Sequence, residues 1–428
     1  MPVKGEGPQD QHKLSLFFGL KNGFHPPWLM QNVHMSERDS GAVGAGRHSF
    51  IPALKGGLLM ALALLGIFAQ KTFPVVAQTT QAPASLRARV PSSTLPPLRL
   101  PAGFRASVYA SGFAQPRLMA LAPGGDVALS DMKAGRVYIL RGSATGTRSL
   151  YASGLNLPHG LAFHGGFLYV ATTDAVLRYP YRSGDASASG PAQKVVALSG
   201  GGEHVSRTLV FGPDGRMYVS TGSSCNACRE KDPRRAAVWS YTADGKDGRL
   251  YASGLRNAVG MAWRNGALYA STNGRDYLGD TTPREQFFRL KQGGFYGWPT
   301  CFTVSGQQRN DPAYQGADCR RAVPAFATVH AHSAPMDLAL YTGSMFPLGY
   351  RGKFVAALHG SSMNAVPVGD KLVLIDPATG AVSDFMTGLL HRGVYTNRPV
   401  GLLMMPDGSL LVSDDWAGMV YRIAYGKK

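Results

Sequence analysis

YASGFAQPRLMALAPGGDVALSD (residues 109–131) is followed by YASGLNLPHGLAFHGGFLYVATTD (151–174) and YASGLRNAVGMAWRNGALYASTN (251–273). The three stretches share one frame: a YASG lead, a short apolar strand, a turn, and a second strand that alternates apolar and polar residues. SRTLVFGPDGRMYVSTG (206–222) and NRPVGLLMMPDGSLLVSDD (397–415) fit the same frame, and 335–376 fits it more loosely. That makes about six units of roughly 40–50 residues, the range of propeller blades. Each second strand leads through a turn to a further strand, as in GRVYIL (135–140), AVLRYPY (175–181) and GMVYRIAY (418–425). Antiparallel strands at this spacing, with no helical segment of useful length between them, predict an all-β fold, a six-bladed β-propeller spanning 101–428. FRASVYASG (104–112) is expected to join the C-terminal blade and close the ring, which removes exposed strand edges.

Composition agrees. Of 428 residues, 53 are Gly and 28 are Pro, and 44% are apolar. Such a chain can bury a core and suits short strands and turns. Residues 1–78 carry a net +3 of the formal +18, so the body carries +15. The basic residues are scattered and form no cluster. Nucleic acid is therefore not predicted as a partner; a basic exported protein facing an anionic cofactor or acidic partners is the better reading.

Residues 56–70 (GGLLMALALLGIFAQ) lie uncharged between Lys55 and Lys71. The run falls short of the roughly 20 residues of a comfortable membrane span. It has the length and basic lead-in of a signal-peptide core, with Val75-Val76-Ala77 as a cleavage site; an uncleaved membrane anchor is the alternative. Met35 is a more natural start than Met1. Either way the body is expected to be periplasmic or secreted. Residues 1–78 are read as an extension and 79–100, rich in Pro, Ser and Thr, as a linker.

Four cysteines suit that compartment. Cys225 and Cys228 are close together, and Cys301 and Cys319 bracket a loop. Zinc would want both pairs around one knuckle, and 73 residues separate them. Haem attachment would need a His where Arg229 stands. Two local disulfides, 225–228 and 301–319, are expected over free thiols.

The chemically unusual residues sit beside the inner strands of several units. Glu203 and His204 follow the run Gly200–Gly202 and precede one inner strand; Arg256 and Asn257 precede the next. STNGRDYLGD (271–280), GGFYGWP (293–299), VHAHSAP (329–335) and LHGSSMN (358–364) follow. A loop histidine is by default an exposed or hydrogen-bonding residue, and a lone arginine an inter-blade ion pair. Converging at one end of a channel, they make a different set. A histidine beside a carboxylate is a candidate general base, an arginine polarises a carbonyl or holds a carboxylate, and backbone carbonyls in a Gly-rich loop bind a hard cation.

The order HVSRTLVFGPDGRMY, LRNAVG, NGRD, GGFYGWP, HSAP and HGS resembles the glucose/sorbosone dehydrogenase family over residues 101–426. These are six-bladed quinoproteins that bind pyrroloquinoline quinone (PQQ) and calcium. SSCNAC and the RPVG…PDGSL…SDD end look most like the L-sorbosone dehydrogenase branch. The resemblance implies oxidation of an aldose or sugar aldehyde to the lactone or acid, with electrons passed to an external acceptor. His204 would be the base, Glu203 the acid that orients it, and Arg256 the group that stabilises developing negative charge as hydride reaches PQQ. Arg256, Asn257, His332 and Asn364 would contact PQQ. The carbonyls of Gly274 and Arg275, with Glu285, would hold calcium. HGSSMNAVP (359–367) departs from the family's HGSWNR: Ala365 follows Asn364 where an arginine would meet the anionic cofactor, and Arg351 and Lys353 are the cations considered as substitutes.

Three other readings remain open. A nicotinamide enzyme lacks support, because no strand-linked GxGxxG or βαβ run is present. A propeller that binds a ligand without catalysis would accommodate Ala365. A calcium-dependent lactonase would draw on Asn257, Asn273 and Asn364.

Overall fold

A computed structural model of the chain describes residues 94–142, 147–361, 363–391 and 394–426. The apolar stretch 56–70, the extension 1–78 and most of the linker lie outside the described residues. Those described form six antiparallel blades with almost no helix, a six-bladed β-propeller. Blades 1 to 5 run in chain order from Pro116–Leu121 to Val382–Met386. Blade 6 takes its three inner strands from the C-terminus and its outer strand, Phe104–Ser111, from the N-terminal side. That strand pairs antiparallel with Met419–Tyr425, Phe104 opposite Tyr425. The YASG lead therefore belongs to the outer strand of the preceding blade, so the sequence repeat is offset from the structural one by a strand. This offset is what closes the ring.

Closure is visible in the packing. Six apolar clusters each fill one gap between successive blades, from Ala128, Val137 and Val170 between blades 1 and 2 to Leu129, Leu411 and Val420 between blades 6 and 1. A seventh, Leu118, Val259, Met336 and Val400, draws on the inner strands of blades 1, 5 and 6 and the segment just before that of blade 4. Leu95, Leu98 and Leu100, from the described end of the stretch read as linker, pack on the cluster between blades 5 and 6.

The inner strands approach each other closely, and the repeat supplies the glycine this needs. A Cβ on Gly160, Gly260 or Gly401 would lie 2.8, 2.5 or 2.4 Å from a carbonyl of another blade's inner strand. Hydroxyls of the second strands stitch the same seam: Ser271 Oγ donates to Met336 O at 2.7 Å, and Ser413 Oγ to Arg117 O at 2.6 Å. Gly260→Ala is expected to cost about 1–3 kcal/mol through overpacking, read as a lower urea midpoint with unchanged slope.

Blade 4 is interrupted. Its third strand ends at Leu290 and its fourth, Ala327–Val329, comes only after a long excursion. Within it Gly294–Phe295, from GGFYGWP, adds a parallel fifth strand to blade 3. A hairpin, Cys301–Val304 with Gln307–Asn310, carries one disulfide, Cys301–Cys319; the other is Cys225–Cys228. Both pairings match expectation, and disulfides persist in oxidising, extracellular or periplasmic surroundings. Among the described residues no helix is long and apolar enough to cross a membrane.

Candidate functional site

The inner strands begin, and the second strands end, at the same end of the ring. This brings together Arg117, His159, His204, Arg256, Asn257, His332, Arg398 and the loops after Thr221, Thr272, Leu358 and Asp414.

His204 is mostly buried between blades 3 and 4. Its Nδ1 lies 3.1 Å from Ser223 O and 2.9 Å from Ser223 Oγ. Burial and the nearby Arg256 lower its pKa to about 3, so at neutral pH the imidazole is uncharged. Gly222 makes this approach possible: a Cβ there would sit 2.6 Å from His204 Cβ and 2.5 Å from Asn257 Oδ1. The expected orienting acid, Glu203, does not take that place. Its side chain is exposed, at a bend ahead of the strand Arg207–Phe211, and the ring is held by Ser223 instead. The carbonyls of Ser199, Gly200 and Gly201 converge on the buried Arg235 guanidinium, at 3.0, 2.5 and 2.9 Å.

Arg256 is 5% exposed, and burial lowers its pKa. Nε donates to Asn226 O (2.9 Å), Nη1 to Gly274 O (2.7 Å), and Nη2 to Asn226 Oδ1 (2.9 Å) and Asp276 Oδ2 (3.0 Å). Those four bonds leave one of its five N–H groups. Asp276 also faces His332 Nδ1 at 3.5 Å, while His332 Nε2 meets Gly279 O at 3.1 Å. Asn257 donates to Asn273 Oδ1 at 2.9 Å. His204, Arg256, Asn257 and His332 thus form one connected set. Asn364 joins it at the edge, through Ala331 O at 3.2 Å. Ala365 offers only its backbone N–H, donated to Asp280 Oδ2 at 3.1 Å.

Gly274 and Glu285 lie together, but as partners of each other. Glu285 Oε2 accepts from Gly274 N (2.6 Å) and Oε1 from Ala334 N (3.2 Å), and burial raises its pKa to about 7. Gly274 O already accepts from Arg256. The Arg275 guanidinium pairs with Asp311 at 2.8 Å. The Gly274 carbonyl and both Glu285 oxygens are therefore engaged by N–H donors, and a cationic guanidinium sits against one of them. This arrangement does not fit an open hard-cation site, which needs free oxygens.

The cations considered in place of the missing arginine fall at the wrong end. Arg351 and Lys353 precede strand Phe354–Leu358, whereas His359 follows it; the strand separates them by roughly 17 Å. Arg398, at the head of blade 6's inner strand, is the cation that reaches this region. Its Nε donates to His359 O at 3.0 Å and it also bonds Gly360 O. Arg117 pairs with Asp415 at 2.5 Å, and Asp415 accepts from His359 Nε2 at 2.9 Å. None of Ser223, Asn226, Arg117, Asp415 and Arg398 was singled out as a site residue from sequence. The available signal was the repeat itself, which places Arg117 and Arg398 near the heads of inner strands as it does Arg256.

The model of the family described as TrAA12-like matches residues 98–426. A curated relative, an uncharacterized protein of Borreliella burgdorferi, is 26% identical over 359 residues, 77% of this chain and 91% of the relative. Similar solved structures include the holo form of the pyranose dehydrogenase PQQ domain from Coprinopsis cinerea (22% identical, TM-score 0.68, covering 78% of this chain and 98% of that one). A calcium structure of the Trichoderma reesei carbohydrate-active enzymes family AA12 protein gives the same four figures. The PQQ-bound aldose sugar dehydrogenase from Streptomyces coelicolor is 20% identical with TM-score 0.54, over 76% of this chain and 99% of that one. At these identities the structural likenesses establish the fold.

Proposed function

The chain belongs to the TrAA12-like family, and from that premise we propose that it is a quinoprotein dehydrogenase that oxidises a sugar and passes the electrons to an external acceptor. The observation that carries this reading is His204: neutral, mostly buried, held at Nδ1, and set beside Arg256 and Asn257. The names of the similar structures, PQQ-containing sugar dehydrogenases among them, support the substrate class.

PQQ is a planar polyanion, and the charge around His204 suits it. Arg207 and Arg235 are buried there, and among the described residues neither pairs with a carboxylate; their bonds run to backbone carbonyls. Uncompensated cations at a channel mouth favour an anionic ligand. When bound, the quinone would supply a two-electron acceptor. The protein's part is then to hold the sugar hydroxyl against His204 Nε2, take its proton there, and offer positive charge from Arg256 and Arg398, with polar contacts from Asn257 and His332, to the cofactor. No step is assigned to calcium, since a guanidinium already sits against the Gly274 carbonyl and both Glu285 oxygens accept from backbone N–H groups. L-sorbosone or another sugar aldehyde is the finer proposal for substrate, and the two disulfides favour an exported site of action.

A propeller that binds the ligand without catalysis is the second reading, favoured by Ala365 and by Arg256's four bonds to protein acceptors. Both are tested by adding PQQ, with and without calcium, to the purified chain and following dye reduction with aldoses and L-sorbosone. PQQ-dependent turnover supports the dehydrogenase. Tight PQQ binding without turnover on any sugar supports the second reading.

A further inference from the structure

Both groups assigned to the chemistry are held by one short turn. Residues 223–228 read Ser-Ser-Cys-Asn-Ala-Cys, and Cys225–Cys228 closes the turn into a small ring. Glu230 braces it from outside, accepting from Ser224 N at 2.5 Å and Ser224 Oγ at 2.8 Å.

Ser223, fully buried, faces His204. Its hydroxyl has a single proton, and its oxygen lies 2.7 Å from Cys225 O, which only accepts. The proton is therefore spent on Cys225, and only lone pairs of Oγ face the imidazole at 2.9 Å. Ser223 O, at 3.1 Å from the same ring nitrogen, is also an acceptor. Both contacts require a proton on Nδ1. A neutral imidazole has one N–H, so Nε2 is left with its lone pair. Three residues on, Asn226 lies inside the disulfide ring and holds Arg256 twice, through its backbone carbonyl and its side-chain oxygen. The carbonyl also accepts from Trp298 Nε1 at 3.1 Å, and the side-chain oxygen from Asp276 N at 2.8 Å. Each acceptor of Asn226 is thus fixed from a second side.

We propose that the disulfide-closed turn Ser223–Cys228 is the positioning device of the site, fixing His204 as its Nδ1–H tautomer through Ser223 and aiming Arg256 through Asn226. Ser223 and Asn226 act through other residues and are positioning residues. A serine hydroxyl and a carbonyl thus do with neutral acceptors what a carboxylate partner would do, without adding negative charge beside an anionic cofactor. The consequence for turnover rests on the dehydrogenase reading; the tautomer does not.

The test is long-range proton–nitrogen correlation NMR on the full chain with ¹⁵N-labelled histidine, at neutral pH and without cofactor. The His204→Ala spectrum identifies the His204 signals. The expected result is a single Nδ1–H tautomer in the native protein, and a mixed or Nε2–H population once Cys225 and Cys228 are both replaced by alanine. Ser223→Ala, which leaves the disulfide in place, is expected to shift the population in the same direction, and Ser223→Thr to restore it. An Nε2–H tautomer in the native protein overturns the proposal. So does a pure Nδ1–H tautomer that survives in both Ser223→Ala and the double cysteine variant. Where turnover is measurable, Ser223→Ala should lower kcat about tenfold or more with little change in KM, because misplacing a base's proton is costly. If the native chain shows no turnover, the dehydrogenase reading fails and the tautomer result still decides this proposal.

Discussion

His204→Ala is expected to remove about 10²–10⁴-fold of kcat, the usual contribution of a positioned general base, while the urea midpoint stays close to that of the native chain. The residue is mostly buried, yet among the described residues its ring bonds only to Ser223, and Ser223 keeps Cys225 O and Arg256 O as partners. A truncated ring therefore frees few groups. The pH profile offers a second check. With the imidazole pKa lowered to about 3, the base stays in its active neutral form well below pH 6.5. The acid limb of kcat/KM in the native enzyme should accordingly lie far below the ordinary histidine range. The stability sign follows from the same shift. Between about pH 3 and 6.5 the unfolded chain carries a proton on this residue that the folded chain does not, so its contribution favours folding more as pH rises through that window. Retention of most activity in His204→Ala, or an acid limb centred near 6.5, would remove His204 from the role.

Arg117→Met is expected to destabilise the fold by about 3–5 kcal/mol, the cost of stranding one partner of a buried ion pair. Arg117 and Asp415 have side chains 6% and 5% exposed. The pair joins the first inner strand to the loop after the last blade's second strand, across the seam where the ring closes. His159 Nε2 stands 3.3 Å from Arg117 Nη2, and His359 donates to Asp415 at 2.9 Å. Without the guanidinium, Asp415 keeps His359, whose pKa is itself lowered by burial. A neutral imidazole cannot compensate a buried carboxylate as an arginine does. Adding Asp415→Leu should recover much of the loss, because the double variant buries no unpaired charge. A single variant within about 0.5 kcal/mol of native, the range of inconsequential surface changes, would show that the pair contributes nothing at the seam.

Much of this protein was legible in its chain. The period, the alternation within each unit and the YASG lead required antiparallel blades, because an apolar face that recurs every second residue has to be buried against a neighbour of the same kind. Ring closure by 104–112 followed from the need to cover an edge. The disulfide pairings were also readable, since each pair of cysteines is local. The heads of the inner strands marked one end of the ring, where the structure brings His204, Arg256, Asn257 and His332 close together.

What the chain could not disclose was which neighbour each of these side chains meets. Glu203 adjoins His204 in sequence, yet it sits at a bend in the loop before the strand and its side chain is exposed. Ser223, nineteen residues away, takes its place because Gly222 lets two blades converge. Gly274 was read as a cation ligand and turns out to be an arginine's acceptor. Arg351 and Lys353 lie close in sequence to HGSSMN and one strand-length away in space, whereas Arg398 reaches the same loop from the next blade. Periodicity is a property of local backbone and is written along the chain. Partnership across blades depends on where separate strands end after the ring has closed, and only the tertiary structure decides that.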